Sequence, residues 1–260
     1  MSFDKFSFYT IIISAVIFSC DDDGTPVPIP QNCVPSKGMV YGWTISFIYD
    51  MSGNLNEISY TREIAPGYSE TRLDTLEYDG KGHLIKAQRL IDNKVDAKYE
   101  LTYDAAGRPW QLNEWVFGMT GDPIVSYFDH DATGRLVRRE IELGGQNWVY
   151  EFEYDNNGNV VKVFYKDFHD VATHLVQENK TFDDRSKIYA NVKGFEIFSV
   201  YCLYFDASKN NVLTSFDFVD LDNVKYDLRY NDDGYITRKV TNDGPYQEDF
   251  MFTDLIYECH

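Results

Sequence analysis

One short phrase recurs along this chain and limits what it can become. Tyr49-Asp50-Met51-Ser52-Gly53-Asn54-Leu55 returns as Tyr78-Asp79-Gly80-Lys81-Gly82-His83-Leu84. It returns again as Tyr103-Asp104-Ala105-Ala106-Gly107-Arg108, His130-Asp131-Ala132-Thr133-Gly134-Arg135-Leu136 and Tyr154-Asp155-Asn156-Asn157-Gly158-Asn159-Val160. Phe182-Asp183, Phe205-Asp206 and Tyr230-Asn231-Asp232-Asp233-Gly234-Tyr235-Ile236 are weaker copies. A period of roughly 23–29 residues marks a repeat architecture, each repeat being one supersecondary unit. Asp at the first turn position accepts a bond from the backbone two residues on, and Gly supplies a positive φ, so the phrase is a hairpin turn. Ser186 stands where one glycine is expected; Asn210-Asn211 offers a substitute, since Asn tolerates the left-handed region.

The flanks read as strands. Trp43, Ile45, Phe47 and Tyr49 alternate with Thr44, Ser46 and Ile48, and Tyr99, Leu101 and Tyr103 alternate with Lys98, Glu100 and Thr102. Period two places each apolar set on one face, which makes the motif's own aromatic a packing residue. Asp92-Asn93-Lys94, Gly144-Gly145-Gln146 and Asp220-Leu221-Asp222-Asn223 supply return turns, and Arg62 to Ser69, with Pro66-Gly67, reads as a longer loop. Ile188 to Phe198 breaks the alternation. The predicted fold is all-β: an antiparallel up-and-down meander of about sixteen strands, closed or nearly closed into a flattened barrel, because closure removes unpaired edges. That many strands would leave a lumen in a round section, so aromatic side chains are expected to fill it. Charges on both faces of segments such as Leu136 to Leu143 favour a soluble barrel over a lipid-facing one.

The Tyr-Asp-x-x-Gly-x-Leu unit resembles the YD repeat of the Rhs family. The short exported context resembles a family of bacterial lipoproteins of unknown function with a porin-like β fold. The resemblance covers most of the chain after Met39 and implies architecture rather than activity. Rhs proteins build large shells of many more repeats, followed by a toxin; this chain has few repeats and no toxin-like region after them.

The N-terminus supplies an address. Lys5 precedes an apolar run from Phe6 to Phe18 that ends in Ser19-Cys20. Such a run followed by a small residue is a secretory signal and is short for a membrane span. Ser19-Cys20 resembles a bacterial lipobox, which implies lipidation at Cys20. The chain then divides into a signal peptide (1–19), a lipidated cysteine with an acidic and Pro-rich tether (20–38), and one YD-repeat β domain (39–260). Asp21-Asp22-Asp23 resembles the surface-export signal of some outer-membrane lipoproteins, so the expected location is the outer membrane, with cell-surface exposure open. The membrane is the first expected partner, through the anchor.

The net charge is −18. An acidic surface repels phosphate backbones, which excludes nucleic acid as a partner class. Arg135, Arg138 and Arg139 are interleaved with Glu140 and Glu142 and read as a solvated face. If Cys20 is acylated, Cys33, Cys202 and Cys259 remain, too far apart in sequence for zinc-ligand spacing. An even strand count brings the start of the first strand and the end of the last together at a seam, where a Cys33–Cys259 disulfide fits; Cys202–Cys259 is the competing pair. No metal or cofactor is implied, because the Asp-x-x-Gly turns lack the alternating oxygen ligands and distal Glu of a calcium loop.

No catalytic motif stands out, and His83, His130, His169, His174 and His260 sit in turns, loops or at the end of the chain. Trp43, Trp110, Trp115 and Trp148 exceed what turns require and can either fill the barrel or form a platform for a glycan or protein ligand. Three functions stay open: a non-enzymatic binding module of the cell envelope, a hydrolase of an extracellular polymer with an unlocated carboxylate pair, and a purely structural envelope protein.

Overall fold

The computed structural model describes residues 33–40, 42–118, 121–186, 192, 197–198, 207–219, 221–241 and 252–259. Among them are sixteen strands: β1 (Cys33–Val40), β2 (Trp43–Tyr49), β3 (Leu55–Ala65), β4 (Tyr68–Tyr78), β5 (Leu84–Ile91), β6 (Lys94–Tyr103), β7 (Pro109–Val116) and β8 (Ile124–His130), followed by β9 (Leu136–Leu143), β10 (Gln146–Tyr154), β11 (Val160–Lys166), β12 (His174–Ser186), β13 (Asn210–Asp217), β14 (Asp222–Tyr230), β15 (Ile236–Thr241) and β16 (Phe252–Cys259). Every strand pairs antiparallel with its sequence neighbours, and β1 pairs with β16, so the sheet closes into a barrel. The barrel begins at Cys33, ahead of Met39 where the alternation predicted it, because residues 33–35 pair with β16 and cover its edge.

Each motif turn is a hairpin with a bulge. Gly53, Gly82, Gly107, Gly134, Gly158 and Gly234 all have φ between 77° and 89°. The ladder shifts register there, setting Tyr49 opposite Leu55, Tyr78 opposite Leu84 and Tyr154 opposite Val160. The motif tyrosine does more than pack. Its hydroxyl donates to a carbonyl on the neighbouring strand: Tyr78 to Leu55 (2.8 Å), Tyr103 to Leu84 (2.6 Å) and Tyr154 to Leu136 (2.6 Å). Tyr49 to Pro35 (2.8 Å) and Tyr257 to Ile236 (2.9 Å) continue the series on the strands flanking the seam. At about 1 kcal/mol for each such bond, the tyrosines latch one end of the barrel.

Two return turns differ from the simple reading. Arg62 to Ser69 is not a long loop: β3 and β4 run on to a two-residue turn, Pro66-Gly67, with Gly67 at φ 77°. Proline followed by glycine at positive φ suits a type II turn, so the strands have no reason to stop earlier. Phe182-Asp183 does not close its own hairpin either. The Asp183 carboxylate accepts from the backbone and the side-chain amide of Asn211 (3.1 and 2.7 Å), as Asp50 does from Asn54 four residues on. The clamp survives, and an excursion is inserted within it. Phe205-Asp206 lies outside the described residues. Val192 and Phe198 of the excursion belong to the apolar core, and Phe198 packs edge-on against Tyr99 of β6 (6.4 Å between ring centroids). The lumen that sixteen strands create is therefore filled partly by the chain itself.

The interior is apolar toward the motif turns, where Leu55, Leu84, Leu112 and Ile236 are fully buried. Outward positions are charged, as in the cross-strand row Glu77, Lys86 and Glu100. A membrane barrel presents an apolar band outward, whereas this row of the wall is charged.

Candidate functional site

An up-and-down barrel has two rims, and here they differ in chemistry. The motif turns form the first. In the turns of Asp50, Asp79, Asp104, Asp131 and Asp155, one Asp oxygen accepts two backbone N–H groups and the other accepts the side chain after the glycine. Asn231 takes the Asp place in the last turn and accepts the Tyr235 N–H (2.7 Å). Asp104 takes the N–H groups of Ala106 and Arg108 at 2.8 and 2.9 Å and Arg108 Nε at 2.8 Å; Asp131 takes Arg135 Nε at 2.7 Å and Asp79 takes His83 Nδ1 at 3.0 Å. The residue after the glycine is thus part of the turn, and its recurrence as Asn, His or Arg was the available sequence signal. These bonds hold the carboxyls below their usual range. The leading cause is the His83 N–H for Asp79, the Arg108 N–H for Asp104 and the Thr133 hydroxyl for Asp131. At Asp155 burial is the largest influence and acts upward, but the bonds from Asn159, Asn157 and Gly158 together outweigh it.

The sign of the resulting pH dependence follows. A carboxyl lowered in the fold stabilises it above the unfolded value, near 3.8, and that contribution is lost as pH falls further. The melting temperature should hold down to about pH 4 and drop below it, and Asp131→Asn should flatten that acid limb in a thermal-unfolding series. Burial pushes Glu114 the other way, against the pull of Arg139 and Arg89 and a bond from Tyr99, so this one group partly offsets the turns.

The return turns form the second rim. Its tips expose apolar side chains: Ile64 and Tyr68 at β3–β4, Phe117 at β7–β8, Phe168 and Val171 at β11–β12, and Phe218, Val219 and Leu221 at β13–β14. Val171 is 97% exposed and Leu221 74%. Among the described residues the motif turns carry only Met51 of this kind. Below the β7–β8 tip lies a cavity of about 660 Å³ lined by Lys98, Glu100, Glu114, Trp115, Phe117 and Asp122 among others.

Inside the barrel near this rim runs a polar tier. Arg62 pairs with Glu70 across β3–β4 (2.8 Å), and Arg89 pairs with buried Asp74 across β4–β5 (2.9 Å). The Arg62 and Arg72 guanidiniums lie 4.6 and 5.2 Å from the Trp43 ring centroid. Arg139 donates to Ser126 and sits over Phe128. It is buried, which corrects its reading as part of a solvated face; only Arg138 is there, paired with Asp129 and Glu140. Arg135 caps its own turn. The register explains the difference, since Arg139 opposes Phe128 on the inward set and Arg138 opposes Asp129 on the outward one.

The tryptophans do not converge. Trp43 is core, Trp110 is outward beside Tyr127, Trp115 lines the cavity, and Trp148 meets Phe168 edge-on at 5.4 Å. His83 stacks on Tyr103 (4.7 Å), and His260 lies outside the described residues. Among the described residues no cluster of His, Cys, Asp or Glu could hold a metal. Cys33 lies opposite Cys259 in the seam register and is disulfide-bonded. Cys20 and Cys202 lie outside the described residues.

No family model and no curated protein matches the chain. Among solved structures the barrel is similar to a porin-like protein from Bacteroides uniformis, at TM-score 0.58 and 13% identity, over 90% of this chain and 99% of that one. It also matches a part of the TcdB2–TccC3–Cdc42 complex at TM-score 0.35 and 14% identity, over 78% of this chain and 13% of that one, a likeness too slight to carry an argument. The likeness at 13% identity concerns the fold: this chain forms a β-barrel of the kind seen in that porin-like protein.

Proposed function

We propose that the protein is a YD-repeat lipoprotein of the cell envelope, anchored through Cys20, whose barrel is a non-enzymatic binding module that holds a partner at the return rim. The observation that carries this reading is the concentration of exposed apolar side chains on four tips of one rim, while the motif-turn rim is locked by its own hydrogen bonds. Scattered surface hydrophobics such as Ile48, Met51, Trp110 and Ile256 need no explanation, but a set gathered on four tips of one end marks an interaction surface. β1 enters at the motif-turn rim, so a tether from Cys20 arrives at the end away from the apolar tips. Interior carboxylates support binding over hydrolysis: Asp74 and Glu70 are held by arginines, and Glu114 accepts from Tyr99. We also infer that the bond of Cys33 is to Cys259, its neighbour across the seam.

Lipid chains hold a protein to a bilayer through burial of their methylenes. Cys20→Ser should therefore move the protein from the membrane to the soluble fraction of fractionated cells; unchanged partitioning would count against the anchor. Protease shaving of intact cells then distinguishes surface display from a periplasmic location. Binding at the rim is tested with glycan and peptide arrays, comparing the full chain with a Phe117→Ser/Phe168→Ser/Val219→Ser variant. Retention of every wild-type signal by that variant would remove the rim from the reading.

One observation favours the hydrolase. Glu114, its carboxyl raised by burial, faces inward opposite Tyr99, while Glu100 and Trp115 stand on the outer face of the same wall, and all three line the cavity below the β7–β8 tip. Turnover of any polysaccharide in a product-release screen, lost in Glu114→Gln, would establish it and overturn the binding reading.

A further inference from the structure

We propose that the return rim docks a cationic, apolar segment of another protein, one in which lysine or arginine alternates with aromatic or aliphatic residues. This rests on the reading of that rim as the binding surface and names what it takes. The tips combine two chemistries. Phe117, Phe168, Val171, Val219 and Leu221 offer apolar area, and Asp92, Asp122, Asp167 and Asp170 stand among them in the connecting residues. Asp217 and Asp222 add acid at strand ends beside the β13–β14 tip. Among the described connecting residues of this rim there is no lysine or arginine; Lys94 and Lys166 lie at the ends of β6 and β11.

Charge decides between three occupants of such a surface. An anionic lipid surface would bring phosphate against these aspartates, and β1 enters the barrel at the other rim. A second copy meeting this rim through a twofold axis would set the same acids against themselves, in a chain whose net charge is −18. A cationic segment is attracted instead. Its apolar residues would cover the tips, and its cations would meet the aspartates between them, which sets register and speeds encounter. The geometry admits an extended segment. Tips of β7–β8 and β11–β12 are four strands apart, about 19 Å along the wall at the usual strand spacing. About six extended residues span that distance.

The test uses the full chain carrying Cys20→Ser and two short labelled peptides, one alternating Lys with Phe and Leu, the other Glu with Phe and Leu, read by fluorescence anisotropy. The lysine peptide should bind at least about tenfold more tightly than the glutamate peptide, and Phe117→Ser/Phe168→Ser/Val219→Ser should weaken it by about tenfold or more. Asp122→Asn/Asp170→Asn should weaken it severalfold, while the outward control Glu57→Gln/Glu77→Gln should change it by less than about twofold. Circular dichroism melting of each variant shows that the barrel is intact. Equal losses in the rim and outward acid variants would reduce the effect to net charge and overturn the proposal. Equal binding of both peptides, lost with the apolar substitutions, would overturn the cationic class and leave the rim reading standing. Indifference of both peptides to every rim substitution would overturn both. Rim-dependent binding to vesicles of anionic phospholipid, or a rim-dependent dimer in light scattering, would replace the proposed partner with a membrane or a second copy.

Discussion

Asp74→Ala is expected to destabilise the barrel by about 3–5 kcal/mol, a large fraction of the stability of a typical domain. Asp74 is 1% exposed, and Arg89 approaches one of its oxygens at 2.9 Å through Nε and the other at 3.5 Å through Nη2. Removing the carboxylate leaves a guanidinium in the barrel with its partner gone, and the cost is that uncompensated charge. The companion Asp74→Leu/Arg89→Met should recover much of the loss, because an apolar pair of similar size leaves no charge behind. Urea unfolding measures both through the midpoint at constant slope. Asp129, whose pairing with Arg138 faces solvent at 3.2 Å, is the control, and its replacement should cost no more than about 1 kcal/mol. Equal costs at Asp74 and Asp129 would mean that the interior pair contributes nothing special.

Cys33→Ser is expected to cost about 2–5 kcal/mol, toward the upper end because the closed loop would span nearly the whole barrel. The effect should be local before it is global. Among the described residues β15 and β16 share a single register pair, Lys239 with Phe252, whereas β1 and β16 pair along most of their length. Without the bond, β16 depends on the β1 ladder, and that ladder carries two register shifts between Pro35 and Met39. Hydrogen exchange should therefore show Phe252–Cys259 opening at lower free energy in Cys33→Ser than in wild type, while β3 to β7 keep their protection. Peptide mapping without reductant identifies the partner. A bond from Cys33 to Cys202, or an unchanged unfolding midpoint in Cys33→Ser, would remove the seam staple.

The repeated Asp-x-x-Gly turn made the meander legible from sequence, because its bonds are local: Asp, Gly and the residue after Gly lie within five positions. Alternation then assigned the faces of strands such as β2 and β6, where the inward residues are apolar. It failed where inward residues are charged. Arg139 and Asp74 look like surface residues in sequence, and only their cross-strand partners show otherwise. The same holds for the excursion after β12, whose broken alternation says that it is not an ordinary hairpin but not that Phe198 reaches the core. The candidate rim was the least visible part. Its residues come from four separate hairpins, and each exposed side chain alone is unremarkable.

The sequence by itself determined the class of fold and the near-even alternation of turns, since both rest on contacts between residues close along the chain. It also supplied the cysteines that closure could bring together. Tertiary structure decided that the sheet closes, that β1 starts at Cys33 and meets β16, and which rim gathers the apolar tips. These depend on strand count and on register around the whole barrel. A one-residue slip in any ladder would exchange inward and outward side chains, so no local window can fix them.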